Sequence, residues 1–165
     1  MSYGIHERIL LNVATVLNGA TVTLNSGTVL TVLAELERVE EDIPNLTGDV
    51  PGLYVRVAEL DNGMDDKDCS FGSVQLNPVF CVTIFVSGLS DRTGDSIRKQ
   101  VCGVNDQLHA LIMADPTRGG YATATIPQNM GWGFIQYGDK FVWGCEMIYE
   151  ARSSIGNTNM TLKVY

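Results

Sequence analysis

Apolar residues recur at steps of three and four near the start of the chain. Ile5, Ile9, Val13, Val16 and Leu17 share one face of a helix predicted over Ile5–Leu17. Leu10 and Leu11 widen that face, so the helix should be deeply buried or covered on a second side by another subunit. Gly19 supplies a stop, because glycine accepts the left-handed conformation that ends many helices. The pattern then turns β-branched. Thr21–Leu24 and Thr28–Leu33 flank Asn25-Ser26-Gly27, which reads as a hairpin. Pro44, Gly48, Pro51 and Gly52 make Ile43–Gly52 a loop. Leu53–Leu60 alternates, with Leu53, Val55 and Val57 on one side and Tyr54, Arg56 and Ala58 on the other, as in a strand with one face on the core.

The polar stretch Asp61–Asn77 predicts a long irregular loop, the kind that is usually functional or disordered. Val79–Val86 is almost continuously apolar and predicts a central strand buried on both faces. Asp91–Gly94 reads as a turn. Ile97, Val101, Val104 and Leu108 then carry a second helix over Asp95–Met113, with Asp91 or Thr93 as its cap and Asp115-Pro116 followed by Gly119-Gly120 as its stop. Two strands remain, Tyr121–Ile126 and Lys140–Arg152, joined by a turn-rich connection over Pro127–Asp139. The predicted fold is α+β: two helices packed on one face of a mostly antiparallel sheet, with an extended hairpin in the N-terminal half. Residues 1–152 form one domain and 153–165 a polar tail, in which Leu162, Val164 and Tyr165 could add a strand to a neighbour.

Composition narrows the function classes. The 165 residues, 45% hydrophobic, suffice for one sizeable core. The net charge of -8 and the lack of any Lys/Arg cluster argue against a phosphate-binding surface. The densest charge run, Glu35–Asp42, is acidic: a solvated edge, or a face that meets a basic partner. No segment approaches the ~20 apolar residues of a membrane-spanning helix, and Met1–Arg8 lacks a secretory apolar core. A cytosolic protein, or one delivered to a particle assembled in the cytosol, is expected. Cys69, Cys81, Cys102 and Cys145 form no CxxC unit and read as small buried hydrophobes in a reducing compartment.

The motifs of chemistry are weak. His6 and His109 lie far apart on separate predicted helices, with no HxxxH or HxxE spacing for a metal. Val86-Ser87-Gly88 lacks the leading glycine of a nucleophile elbow. No glycine set forms GxGxxG or GxxxxGKS, and the Gly131-Trp132-Gly133 run reads as a turn. Asp61–Asp68 offers oxygen ligands, but its spacing does not match a calcium loop. No catalytic residue, metal site or cofactor is therefore expected, and the protein reads as non-enzymatic.

The segment Leu108–Gly120, with its Asp115-Pro116-Thr117-Arg118-Gly119-Gly120 close, resembles the "aL..Dp.lgG" element of bacteriophage tail terminator and tail completion (minor tail) proteins. Tyr149-Glu150-Ala151-Arg152 is similar to the "v.Y..R" close of the same family, and the order of elements from Ile5 to Arg152 agrees with its layout. Arg118 stands where the family often has an apolar residue, and the Asp61–Asn77 stretch is longer than usual. The resemblance implies a virion protein: a homo-oligomeric ring, usually of six subunits, assembled in the host cytoplasm. Such a ring caps the tail tube protein, ends its polymerisation, and presents a surface to head–tail connector or neck proteins. DNA would pass through the lumen without specific binding, which an acidic wall favours. A neck or head-completion ring is the alternative; a small enzyme of ferredoxin-like build and a small-ligand module stand further off. Candidate contact residues are Arg38, Glu40, Glu41 and Asp42 in one loop, Asp65 and Asp66 in the next, Arg56 and Arg152 on strands, Arg118, and the aromatics Trp132, Phe134 and Tyr137.

Overall fold

The computed structural model describes residues 4–37, 52–61, 64–70, 73–87, 96–137 and 140–156. Helix α1 runs over Ile5–Leu17 and buries Ile9, Val13, Ala14 and Leu17. It ends where Asn18 turns extended and Gly19 takes φ +78°. The end is stitched to the sheet: Gly19 N–H donates to the Val32 carbonyl at 2.9 Å, and Asn18 Oδ1 accepts from Ala34 N–H at 3.2 Å. The predicted hairpin follows as β1 (Thr21–Thr23) and β2 (Val29–Leu36), antiparallel, with Gly27 at φ +84° in the turn. Strand β2 then pairs in parallel with β3 (Gly52–Asp61), from Val32↔Leu53 to Leu36↔Val57.

The remaining strands are β4 (Met64–Ser70), β5 (Ser73–Leu76), β6 (Val79–Ser87), β7 (Ala124–Tyr137) and β8 (Lys140–Gly156), with α2 (Ile97–Met113) between β6 and β7. The main sheet has the order β1-β2-β3-β6-β8-β7, and β5-β4 continues it beside the far end of β8. The fold is α+β, with a mixed, mostly antiparallel sheet, as the sequence predicts.

Both helices lie on one face, because each strand points its apolar set there. Leu30, Val32 and Ala34 of β2, Leu53, Val55 and Val57 of β3, Phe80, Val82, Ile84 and Val86 of β6, and Cys145, Met147, Tyr149 and Ala151 of β8 all join the helix-facing core. From α2 come Val101, Val104, Leu108 and Ile112. The other face also buries Tyr54, Cys81 and Phe85, and the Tyr54 and Phe85 rings stack at 5.8 Å. Strand β6 is thus central and buried on both sides, as its continuous apolar run predicts.

Four expectations are corrected. First, Asp61–Asn77 is not an irregular loop: β4 and β5 pair antiparallel within it, and β5 pairs with β8. The β5 pairs, Ser73↔Gly156 to Leu76↔Ser153, keep the same offset as the β6 pairs, Val79↔Glu150 to Val86↔Trp143. Strands β5 and β6 are therefore one ladder along β8, interrupted at Asn77-Pro78. The Pro78 carbonyl still accepts from Ala151 N–H at 2.9 Å, so the break removes little. Second, Pro127–Asp139 is not a turn-rich connection. Strand β7 runs through Pro127 to Tyr137, with a register shift between Pro127 and Asn129. Proline is tolerated because β7 is an edge strand. Third, the polar tail does not begin at Ser153, since β8 continues to Gly156. Fourth, α2 is capped by Ser96, whose hydroxyl accepts from Lys99 N–H at 3.3 Å, not by Asp91 or Thr93. The predicted turn at Asp91–Gly94 and the loop from Ile43 to Pro51 lie outside the described residues; Gly52 opens β3.

Candidate interaction surfaces

The register defines two hairpins that run in opposite senses. In one, β3–β4 returns through β5–β6, and its Ser70↔Ser73 end lies beside the Gly156 end of β8. In the other, β7 returns as β8, and its Tyr137↔Lys140 end lies at the opposite end of β8. The seventeen residues of β8 extend over roughly 55 Å between these ends. The Met64–Leu76 arm leaves the helix-covered core and is held to the rest of the sheet through Ser153–Gly156.

The turn that carried the resemblance is a structural joint. Asp115 Oδ1 accepts from Thr117 Oγ1 at 2.6 Å and from Thr117 N–H at 3.0 Å, while Oδ2 accepts from Gly119 N–H at 2.6 Å. The Thr117 hydroxyl bond, and then the Gly119 amide, hold the Asp115 carboxyl below its ordinary pKa. Arg118, Gly119 and Gly120 all take positive φ. That conformation folds the Arg118 side chain inward, where it is fully buried and Nη2 donates to the Ile112 carbonyl at the end of α2. A cation there suits the negative end of the helix dipole. Burial pulls the guanidinium pKa down, opposed by nearby Asp115. Arg118 is therefore corrected: it is an internal clasp, not a surface contact. Thr125 Oγ1 completes the joint by donating to the Pro116 carbonyl at 2.8 Å.

The other candidate residues divide. Arg56 pairs with Glu37 at 2.8 Å on the face away from the helices, and Arg152 Nε pairs with Glu150 at 2.8 Å. Both ion pairs are internal to the chain. Trp132 is 44% exposed on β7, with the Arg98 guanidinium of α2 4.2 Å from its ring centre. The backbone places Asp65 and Asp66 on β4 and Phe134 and Tyr137 on β7; their side chains are outside the described set. Arg38, Glu40, Glu41 and Asp42 lie outside the described residues.

Buried polar side chains link α2 to the sheet. Asn105 of α2 bridges to both long strands, its Oδ1 accepting from Cys145 Sγ at 3.0 Å and its Nδ2 donating to Met130 Sδ at 2.7 Å. Burial pushes the Cys145 thiol up to about 12 and raises the Cys81 thiol as well. Neither is a thiolate nucleophile at neutral pH. Tyr149, also raised by burial, lies with its hydroxyl 2.8 Å from His109 Nδ1 and stacks on Phe80 at 5.3 Å. Among the described residues no three His, Cys, Asp or Glu side chains gather as metal ligands, and no helix is long and apolar enough to cross a membrane.

A groove of about 370 Å³ lies between Leu11, Ala14 and Thr15 of α1 and Ala34–Leu36 of β2. Leu11, which lines it, is 40% exposed. Sequence reasoning missed the β4–β5 arm and the length of β7. The signals were faint: Val74 and Leu76 alternate with polar residues, and Phe71-Gly72 is the right length for a tight connection. No protein-family model matches the chain, and no curated protein matches it at a significant level.

Proposed function

We propose that this chain is a non-enzymatic subunit of a ring that caps a bacteriophage tail tube, ends its polymerisation and offers a joining surface to the head–tail connector. The observation that carries the reading is the pair of hairpins directed to opposite ends of one sheet, about 55 Å apart along β8. A terminator needs two different end faces, one that matches the tube and one that does not, and a lateral surface that closes into a ring. The Met64–Leu76 arm and the β7–β8 tip give a subunit two such ends. The Leu108–Gly120 resemblance supports the same reading, because its turn is the joint between α2 and β7 and so sets the direction of one hairpin. The net charge of -8 suits a lumen that lets DNA slide past. A ring of six assembled in the host cytoplasm, and then carried in the virion, follows from the same resemblance.

The test is tube capping. Purified protein added to polymerising tail tube protein should halt growth and place a ring at one end of each tube, seen by negative-stain imaging. Tubes that keep lengthening with bare ends would overturn the proposal. Rings bound instead to head connectors would favour the neck alternative.

A further inference from the structure

Strand β7 presents the longest unguarded backbone edge among the described residues. It pairs with β8 alone. None of its fourteen residues is charged, in a chain where 18% of residues are. Proteins ordinarily protect such an edge with lysine, proline, a bulge or a short length. Here Pro127 and the register shift guard only the first part, while Asn129↔Ile148 to Tyr137↔Lys140 is a regular ladder. Met130 and Trp132 are 45% and 44% exposed along this stretch. A Cβ added at Gly131 or Gly133 would meet nothing within 4 Å, so that side of the strand is open too. The opposite edge of the main sheet, β1, is only three residues long.

We propose that residues Asn159–Tyr165 of a second copy of this chain add as a further strand to the Asn129–Tyr137 edge. The sequence of that segment alternates, Met160, Leu162 and Val164 against Thr161, Lys163 and Tyr165, which is the period of a strand with one apolar face. Its apolar set can continue the row of Met130 and Trp132, and its other set covers the two glycines, where larger cross-strand residues fill the space glycine leaves. Reach makes the contact intermolecular. Gly156 lies eight residues past Ile148, the partner of Asn129, or about 26 Å along β8. Residues 157–165 span at most ~32 Å when fully extended. They would be used up on reaching Asn129 of their own chain and could not lie along Asn129–Tyr137. The contact joins two different surfaces, segment and edge, so it passes from copy to copy and closes as a ring when the rotation between copies divides a full turn. It rests on the ring reading only in taking the partner to be a second copy.

The test uses the full chain and a variant carrying Leu162→Asp and Val164→Asp, with Gly131→Lys as an independent change on the edge itself. Hydrogen exchange of the amides of 129–137 and native mass spectrometry are read together, and near-ultraviolet circular dichroism checks that each variant is folded. The proposal expects slow exchange in the parent, at least tenfold faster exchange in both variants, loss of the oligomer, and recovery of protection when a synthetic peptide of residues 157–165 is added to the tail variant. Unchanged protection and unchanged oligomer in a folded tail variant would overturn strand exchange while leaving the ring standing. A parent that is monomeric, with 129–137 amides that exchange fast, would overturn the strand exchange and the ring together.

Discussion

Arg118 concentrates the residue-scale physics of this protein. It is fully buried, it sits at φ +52°, and its Nε and Nη1 have no hydrogen-bond partner among the described residues. A buried cation with one satisfied donor costs folding energy, yet its stem fills space and its Nη2 closes the Ile112 carbonyl. These terms separate on mutation. Arg118→Ala empties the site and orphans the carbonyl, and should lower stability by about 2–4 kcal/mol. Arg118→Met keeps the volume and removes the charge, and should fall within about 1 kcal/mol of the parent. Urea unfolding with an unchanged slope measures both; equal losses for the two variants would show that the charge, not the packing, matters. Asp115 gives a pH signature. Its folded pKa lies below the unfolded value of 3.8, so its contribution is complete above that pH and fades as pH falls through the lower folded value. Asp115→Asn cannot titrate, so the stability gap between parent and variant should shrink below pH 3.8. A gap that stays constant from pH 7 into acid would contradict the assigned hydrogen bonds. At Cys145, whose thiol is pushed up to about 12, labelling by a disulfide reagent at pH 8 should wait for unfolding. Rapid labelling in the native state would exclude the buried position.

At the scale of elements, the helix ends and the long strands follow different rules. The span of α1 was legible to the residue, because its apolar spacing and Gly19 are local signals. The β1–β2 hairpin and β6 were legible for the same reason: branched residues around a glycine turn, and an unbroken apolar run. Strand β4 was not, since Asp65, Asp66, Lys67 and Asp68 follow one another within it and local pattern reads as loop. What makes it a strand is its hairpin with β5, which is anchored in turn on β8, a long-range contact that the charge run of β4 does not announce. Pro127 misled in the same direction, because a proline argues against a strand only where both edges are paired. The cap of α2 was misplaced by a few residues for lack of a distinguishing signal among Asp91, Thr93 and Ser96. Ser96→Ala should cost about 1 kcal/mol, measured by thermal or chemical unfolding; no change would mean that the Lys99 amide is satisfied by water. Of the candidate contacts, Trp132 was legible as an exposed aromatic. Arg118 was not, because nothing in its neighbours announces that a positive φ turns it inward.

For the whole molecule, the arrangement is a helix-covered sheet with an arm at each end and an unguarded edge on one side. The proposed ring would use each of these features. In that proposal the arms would meet what lies above and below, and the edge would meet the neighbour. Salt should have little influence on an assembly held by backbone pairing and apolar contact, in contrast to one held by surface ion pairs. Arg56–Glu37 and Arg152–Glu150 are closed within one chain and need no partner. The most direct measurement of the central claim is the mass of the purified protein by native mass spectrometry, with negative-stain images of the same sample. The account predicts six-fold rings, either free or formed when tail tubes are supplied. A persistent monomer or dimer that never caps a tube would contradict it.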